Sequence, residues 1–477
     1  MTHFPVVVVG GGISGLVCGY ALRRAGIDVQ VVEAASRVGG LIQSEACNGY
    51  LLELGPQSFS GTQLIGDLCD ELGIAEQLLE APARAPRYLL VNGELRAAPL
   101  SPPAFFGSTL FSAKTKWSLI RDIFGHTTPP EPDETMADFT RRRFSGELLD
   151  KLVGPFVSGI YAGDAEKLSL RAAFPQVYEA EREAGSVIRG MIRLGKAKRR
   201  AANADGKARA KRKRPTLQTF REGNETLVRA LAGKLGAALR MGTSVVTIQR
   251  AVASGPASAR FAVTLKAGES SEQITAERVV IATGTDVAAR LLGEISGDAA
   301  SGLTGVEYAP IAVVSLGYAR PAVGRPLDGF GFLIPRSAGL RTLGTVWNSS
   351  LFAGRAPEGH VLLTSFVGGA TDPEAAALAE SELTQLVHRE LTPVLRLQRE
   401  PAFAKATRYE RALPQYNLGH AARIRHVEET LRECAGLHLV GNYLRGPAIG
   451  ACVEQALGVA QAIAGRSERS VAARVLA

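Results

Sequence analysis

Hydrophobic residues near the start of the chain form one continuous run and then a helical pattern. Val6 to Val9 are uninterrupted apolar residues, which is typical of a strand buried in a parallel sheet. The run leads into Gly10-Gly11-Gly12-Ile13-Ser14-Gly15, where a helix is predicted to begin. A second strand, Asp28 to Val32, ends at Glu33. A strand, a glycine turn, a helix, a strand and an acid in this order predict a dinucleotide-binding βαβ unit.

The glycines of this turn have separate predicted roles. Gly10 permits the tight turn, Gly12 leaves room for a pyrophosphate beside the backbone, and Gly15 lets the helix pack close to the strand. The helix N-terminus faces the phosphate charge, and Glu33 can bond both hydroxyls of an adenosine ribose. Arg37-Val38-Gly39-Gly40 then brings a cation and two more glycines beside the acid. This second close approach favours a long, buried FAD over an exchangeable NAD.

The rest of the pattern predicts an interrupted α/β chain. The predicted elements are a strand and Gly-Pro turn in 49–59, a helix over 64–72, a hairpin with an Asn-Gly turn in 84–95, a helix over 136–152, strands over 244–250, 261–265 and 278–284, strands over 311–318, 330–335, 342–346 and 360–367, a helix over 373–391, and a strand, glycine turn and helix over 437–464.

These elements predict an α/β fold with three parts. A discontinuous Rossmann-like FAD-binding domain would comprise residues 1–81, 223–300 and 405–477. An α+β substrate-binding domain would comprise 82–98 and 301–404. An inserted helical domain would comprise 99–222.

Composition excludes several other classes of protein. The five cysteines are scattered and form no CxxC pair, so neither a disulfide framework nor a zinc site is predicted. We expect no metal and a reducing, cytoplasmic location. The uncharged run from Phe4 to Leu22 is long enough for a membrane span, but it is glycine-rich and divides into a strand and a helix.

Basic residues are concentrated in one stretch. Arg193 to Arg214 holds eleven Lys or Arg and one acid, so the remainder of this chain of net charge +9 is nearly neutral. We predict that this stretch is a disordered loop. It could be simply solvated or attracted to anionic lipid, and binding of nucleic acid is not expected because aromatic residues are absent from it.

Residues 99–125 combine aromatic residues with Lys114, Lys116 and Arg121. Two interpretations stay open for this segment, a buried core and a membrane-interface patch. The helical domain would then associate peripherally with a membrane.

Two motifs resemble one superfamily of flavoproteins. Glu33 to Gly40 matches the second FAD signature, E-x(3)-R-x-G-G, of the flavin amine oxidases and protoporphyrinogen oxidases. A second stretch, residues 155–175, resembles the internal signature of the protoporphyrinogen oxidases. It contains PFVSGIYAGD at 155–164 and KLSLRAAFP at 167–175. The resemblance to oxygen-dependent, FAD-containing porphyrinogen oxidases covers essentially the whole chain.

The resemblance implies a set of site residues. The residues expected to contact FAD are Gly10, Gly11, Gly12, Ile13, Ser14, Gly15, Glu33, Ala34, Arg37, Gly39, Gly40, Gly55, Pro56, Gln57, Ser58, Val246, Gly441, Pro447, Ala448 and Ile449. Arg87 would pair with a substrate propionate. Without the resemblance, its position at the start of a strand would predict only an exposed surface arginine. Leu333 and Phe352 would sandwich the tetrapyrrole, and Gly159 would offer backbone near the reacting ring.

Three departures from the family pattern concern the substrate more than the cofactor. Gln57 replaces a usual Asn, Asp or Arg, Gly223-Asn224 replaces a usual Gly-Gly, and Arg445-Gly446-Pro447 is atypical.

The implied activity is oxidation of protoporphyrinogen IX to protoporphyrin IX in tetrapyrrole biosynthesis. The flavin would take hydride equivalents, and O₂ would reoxidise it and yield H₂O₂. No side chain is assigned as a catalytic acid or base.

Other functions are kept as alternatives. The same fold could oxidise coproporphyrinogen III, and residue types do not separate these substrates. An amine oxidase or carotenoid desaturase would share the FAD signatures but lack the 155–175 segment. A non-enzymatic protein could bind lipid or nucleic acid through the basic stretch. The expected partners are a porphyrinogen, O₂, an anionic membrane surface and a second copy in a homodimer.

Overall fold

The computed structural model describes residues 1–126, 133–204, 216–251 and 260–465, with only the backbone described for 198–204. Its strands are β1 (His3–Val9), β2 (Val29–Val32), β3 (Ser44–Cys47), β4 (Tyr50–Glu53), β5 (Phe59–Ser60), β6 (Leu78–Glu80), β7 (Arg87–Val91), β8 (Glu94–Ala97), β9 (Leu217–Phe220), β10 (Leu239–Arg240), β11 (Ser244–Arg250), β12 (Phe261–Ala267), β13 (Ser270–Ile281), β14 (Tyr308–Ala319), β15 (Gly331–Leu333), β16 (Thr342–Val346), β17 (His360–Gly368), β18 (Phe403–Pro414) and β19 (Leu437–Leu439).

The helices of the described residues connect and cover these strands. They are α1 (Ile13–Arg24), α2 (Gln63–Leu72), α3 (Pro102–Gly107), α4 (Ala113–Phe124), α5 (Met136–Arg143), α6 (Gly146–Leu148), α7 (Gly154–Tyr161), α8 (Leu170–Ala173), α9 (Pro175–Ala184), α10 (Val187–Ala204), α11 (Glu225–Leu235), α12 (Thr285–Leu292), α13 (Gly297–Thr304), α14 (Asn348–Leu351), α15 (Pro373–Ala376), α16 (Glu380–Leu395), α17 (His420–Arg432) and α18 (Ile449–Ile463).

The first large sheet has the order β10-β2-β1-β13-β12-β11, with β19 also on β13. β1 runs parallel to β2 and β13, and β19 runs parallel to the end of β13. Val6, Val7 and Val8 are completely buried, because helices cover this sheet on both faces. The predicted Rossmann-like sheet is therefore confirmed, and three distant chain segments build it.

The second large sheet has the order β18-β14-β17-β16-β15-β7-β8. The predicted hairpin β7–β8 turns at Asn92 and Gly93, both with positive φ, and joins this sheet through β15. β15 and β7 run parallel, whereas the other paired strands of this sheet run antiparallel.

Sheet membership departs from the predicted part boundaries at two places. Residues 405–414 belong to β18 of the second sheet rather than to the cofactor sheet. β9, which was grouped with the helical part, pairs with β5 and β6. The division into domains itself stays a prediction.

Three local predictions need correction. The helix over 136–152 is broken after Arg143, because the Ser145 side chain caps a new helix by accepting from the Leu148 amide. The helix over 373–391 is interrupted at 377–379, where the Ala379 amide donates to Glu382 and α16 begins. The basic stretch is not a loop throughout, since α10 continues to Ala204. Residues 205–214 of that stretch lie outside the described residues.

In the described part of the chain, we find no helix that is both long and apolar enough to cross a bilayer.

Candidate functional site

The glycine turn between β1 and α1 is packed tightly on one side and open on the other. A Cβ atom at Gly15 would lie 1.9 Å from the Gly10 carbonyl oxygen, so α1 reaches the strand only without a side chain there. Gly10 has φ +108°, and a Cβ there would lie 2.8 Å from the carbonyl oxygen of Ala282, the residue after β13. A Cβ at Gly12 would meet nothing within 4 Å. This open side is where a pyrophosphate would approach the backbone. Ile13 and Ser14 form the first turn of α1.

Glu33 is bound to the same turn. Its Oε2 accepts from the Gly11 amide at 2.5 Å, and its Oε1 accepts from the Ala35 amide at 2.8 Å. Each oxygen keeps a further lone pair, so the carboxylate can still receive a ribose hydroxyl. Ala34 is exposed beside it.

The second glycine pair lies directly against the first motif. The Gly39 amide donates to the Gly11 carbonyl at 2.8 Å, and a Cβ at Gly40 would lie 3.5 Å from the Gly12 Cα. Gly39 and Gly40 have φ values of +101° and +58°, which favour glycine. Arg37 folds back and donates to the Gly40 carbonyl at 2.7 Å. The two signatures therefore form one backbone-lined cradle.

The third cofactor segment joins this cradle through helices. Gly441 follows β19, and Pro447 and Ala448 precede the first residue of α18, Ile449. Helices α1 and α18 pack directly against each other, with Ser14 beside Cys452, so the first turns of the two helices lie together. Two helix N-termini in one place favour a ligand with negative charge.

The Gly-Pro turn of residues 55–58 is held from several directions. A Cβ at Gly55 would lie 1.9 Å from the Leu41 carbonyl oxygen. Gln57 donates to the Glu53 and Gly55 carbonyls at 2.8 and 2.9 Å, and it accepts from the Asn348 side chain at 2.7 Å. Asn348 begins α14, which follows β16 of the second sheet. This turn, which includes Pro56 and Ser58, therefore joins the cofactor cradle to the substrate side, meaning the second-sheet region that carries the predicted substrate residues.

Asn224 explains one of the departures in sequence. Its side chain donates to the Pro56 carbonyl at 2.7 Å and accepts from the Thr219 hydroxyl at 2.9 Å. Its amide donates to Glu53 at 2.9 Å. A glycine at this position would lack both side-chain bonds, so Asn224 stabilises the turn.

Glu53 and Arg355 form a buried pair beneath this turn. Both side chains are at most 2 % exposed, and the nearest N–O distance is 3.4 Å. Burial raises the pKa of Glu53 to about 7. The positive charge of Arg355 and the hydrogen bonds from Ser44 and Asn224 act in the opposite direction and lower this pKa. Burial lowers the pKa of Arg355, and the charge of Glu53 opposes that shift.

The predicted substrate residues gather in two neighbourhoods. Arg87 is exposed at the start of β7, with its guanidinium carbon 5.2 Å from the centre of the Phe330 ring. Gly159 of α7 faces Leu333, since a Cβ there would lie 2.7 Å from Leu333 Cδ2. Residues 87 and 331 pair directly, so β7 and β15 bring these neighbourhoods together.

Phe352 is less accessible than a stacking residue needs to be. It is 4 % exposed and packs with Ala81, Leu351 and the partly buried Phe330. Its contact with a tetrapyrrole stays a prediction, as does the adenine contact of Val246, which is 36 % exposed beside an irregularity in β11.

The residues present fit FAD, because an open glycine, an acid with free lone pairs and two helix N-termini converge. Comparison with known families agrees with this geometry. The model of the family described as flavin containing amine oxidoreductase matches residues 13–464. The chain belongs to this family. The predicted flavin cofactor, FAD, is thereby confirmed.

Curated relatives of this chain match it over most of their length. It is 33 % identical to the chloroplastic protoporphyrinogen oxidase of Nicotiana tabacum, over 96 % of this chain and 85 % of the relative. It is 35 % identical to that of Oryza sativa, over 94 % and 86 %. The coproporphyrinogen III oxidase of Bacillus subtilis is 31 % identical, over 94 % and 96 %.

Solved structures share the fold. A protein of Exiguobacterium sp. 255-15 provisionally named protoporphyrinogen oxidase has a TM-score of 0.79 and 25 % identity, with 98 % of this chain and 99 % of that chain covered. Putrescine oxidase, at 18 % identity and TM-score 0.70, with 98 % of this chain and 100 % of that chain covered, shows the shared fold alone.

Sequence reasoning missed Asn348 and Arg355, and it recorded Asn224 only as a departure. Each acts through a contact between segments more than a hundred residues apart. No local pattern marks such residues.

We predict that Gly15→Ala abolishes FAD retention. The new Cβ would collide with the Gly10 carbonyl, which neither rotation nor a flexible side chain can relieve. The flavin absorbance per protein of the purified variant measures this.

Gly66→Ala is the matched control, because Gly66 lies in α2 and a Cβ there meets nothing within 4 Å. It should keep its flavin and gain up to about 1 kcal/mol of stability. A yellow Gly15→Ala protein with normal flavin content would contradict the assigned packing.

Stability should fall on acidification through His420. This residue is 2 % exposed, and its Nε2 donates to the Tyr443 carbonyl at 2.9 Å. Burial lowers its pKa to about 4. The unfolded chain therefore binds a proton more tightly, and roughly 3 kcal/mol of stability is lost as pH falls from about 6.5 to about 4. Denaturant unfolding at several pH values measures the slope.

The slope should be smaller in His420→Gln and unchanged in His426→Gln, which alters an exposed histidine of the same helix. Equal slopes in all three proteins would exclude His420 as its source.

Proposed function

We propose that this protein oxidises a porphyrinogen with its flavin, and that protoporphyrinogen IX is the first candidate substrate. The observation that carries the proposal is the likeness, over nearly the whole chain, to relatives named protoporphyrinogen oxidase. Likeness to amine oxidases is limited to the family and the fold.

Residues of β7, α7 and β15 support this proposal. Arg87 offers an exposed cation for a propionate, and the aromatic face of Phe330 lies beside it. Gly159 and Leu333 provide a close, apolar contact of α7 with β15. An apolar wall with a cation at its edge suits an apolar macrocycle that carries carboxylates.

The protein's own residues bind and orient the substrate in this proposal. A bound flavin would supply the oxidation chemistry: in each cycle the porphyrinogen would lose one hydride and one proton, and O₂ would take up the two electrons with two protons to give one H₂O₂. We assign no side chain as acid or base.

Coproporphyrinogen III is the second candidate substrate. The Bacillus subtilis relative, which is named coproporphyrinogen III oxidase, is covered over 96 % of its length. Coproporphyrinogen III carries more propionates than protoporphyrinogen IX, so a site that binds it would need more cations than Arg87 alone.

We also propose a membrane contact through helices α4 and α10. Trp117 and Phe124 of α4 are 64 % and 82 % exposed, and Met191 and Ile192 of α10 are 42 % and 53 % exposed. The two helices pack together and carry exposed Lys114, Arg121, Arg193 and Lys196. Apolar and basic residues on adjacent helices suit an anionic lipid surface.

A homodimer and the use of O₂ stay predictions.

Anaerobic mixing with each porphyrinogen tests the activity. Protoporphyrinogen IX should bleach the flavin absorbance in a stopped-flow experiment.

In the same experiment, Arg87→Ala should raise the half-saturating concentration of protoporphyrinogen IX about tenfold, because it removes a charge-assisted hydrogen bond to a propionate.

Arg84→Ala is the control, since Arg84 is exposed three residues earlier and is not placed in the site. Faster bleaching by coproporphyrinogen III would favour the second candidate. A flavin that neither substrate bleaches would exclude the proposed function.

Sedimentation with vesicles tests the membrane contact. The protein should bind phosphatidylglycerol vesicles at low salt, and replacement of Trp117 and Phe124 by Ser should reduce the bound fraction several-fold. Met241→Ser, which alters an apolar residue that is 50 % exposed elsewhere, should bind normally. Equal binding of all three proteins would place the contact on another surface.

A further inference from the structure

Residues 415 and 416 lie between the substrate side and the cofactor side of the site. Gln415 Nε2 donates to the carbonyl of Tyr161 at 2.9 Å. Tyr161 is the last residue of α7, the helix that carries Gly159, and helix C-terminal carbonyls lack partners inside their own helix. Gln415 therefore caps the helix that faces Leu333.

Backbone pairing strengthens this contact. The Ser169 amide donates to the Tyr416 carbonyl at 2.8 Å, and the Leu418 amide donates to the Lys167 carbonyl at 3.0 Å. The connection after β18 is thus joined to residues 161–169, which belong to the segment that predicts the substrate class.

The Tyr416 side chain contacts the loop between β19 and α18. Its hydroxyl donates to the Asn442 carbonyl at 2.6 Å and accepts from the Gly446 amide at 2.7 Å. A carbonyl can only accept and an amide can only donate, so the direction of both bonds is set. One hydroxyl closes the loop between Gly441 and α18.

This loop determines where the N-terminus of α18 points. Gly446 has φ +128°, and the next residue, Pro447, has no amide hydrogen. The Gly446 amide is therefore the last backbone donor before Ala448 and the helix. Its bond to Tyr416 fixes the chain immediately before the helix N-terminus that faces the cofactor cradle.

Burial makes these bonds hard to replace. Tyr416 is 1 % exposed, and its ring centre lies 4.2 Å from the His420 ring and 5.6 Å from the Tyr161 ring. Water cannot readily replace a lost hydroxyl in such a site, so the Asn442 carbonyl and the Gly446 amide would lose their partner.

We infer that Tyr416 and Gln415 are positioning residues: the Tyr416 hydroxyl holds the flavin-facing loop 441–448, and the Gln415 amide holds the end of α7 on the substrate side. Neither acts on a reacting atom. The Gln415 half of this inference rests on the proposed function, whereas the Tyr416 half needs only the flavin.

Tyr416→Phe tests the cofactor half. It removes both hydrogen bonds and keeps the ring between His420 and Tyr161. FAD release from the diluted holoprotein, followed by the recovery of flavin fluorescence, should be about tenfold faster. Turnover should show a lower kcat, with KM for the porphyrinogen within about twofold of the wild-type value.

Tyr50→Phe is the matched control. Tyr50 is 4 % exposed and stacks on Phe403, and no hydrogen-bond partner of its hydroxyl is found among the described residues. It should release FAD at the wild-type rate. If Tyr416→Phe lowers the melting temperature alone and leaves FAD release unchanged, Tyr416 is a structural residue and the inference fails.

Gln415→Met tests the substrate half and stays informative if Tyr416→Phe does not fold. It should raise KM several-fold, with FAD release at the wild-type rate. An unchanged KM for the porphyrinogen would overturn the assignment of Gln415, whatever the rate of FAD release. If the wild-type protein oxidises neither porphyrinogen, the proposed function fails, but the FAD-release comparison still decides the role of Tyr416.

Discussion

The architecture depends on a contact that no side chain can enter. Gly15 of α1 lies against the carbonyl of Gly10, and Gly10 in turn lies against Ala282 at the end of β13. This approach places the N-terminus of α1 beside the end of two parallel strands. β13 pairs with β1 and β19 pairs with β13, all in parallel, so residues 278–284 and 437–449 reach the same end of the sheet although they are distant in the chain.

Hydrogen bonds between distant segments join the cofactor cradle to the substrate side. Gln57 bonds to Asn348, Asn224 bonds to Pro56, and Tyr416 bonds to the loop before α18. All these side chains are buried, so each bond is protected from water and each lost partner is costly. Side chains distant in sequence from the two FAD signatures therefore hold together the segments that carry the predicted site residues.

Local patterns predicted what depends on a few consecutive residues. The βαβ unit, the Asn92-Gly93 hairpin and the strand that returns at 278–281 follow from runs of apolar residues and from turn chemistry. Predictions failed where a single hydrogen bond decides a helix boundary, as at Ser145 and Ala379. The helical course of 193–204 was also missed, because charge density says little about a helix whose first turns pack on α4 and α9.

The sequence by itself determined the cofactor, since a glycine turn, Glu33 and the Arg37-Gly40 run are short patterns whose chemistry is local. It also determined the family, through motifs that need no folding to be recognised. Only the tertiary structure decided which side chains hold these motifs in place. Asn224, Arg355 and Tyr416 have partners more than twenty residues away, and such pairings arise from packing, which no local spacing encodes.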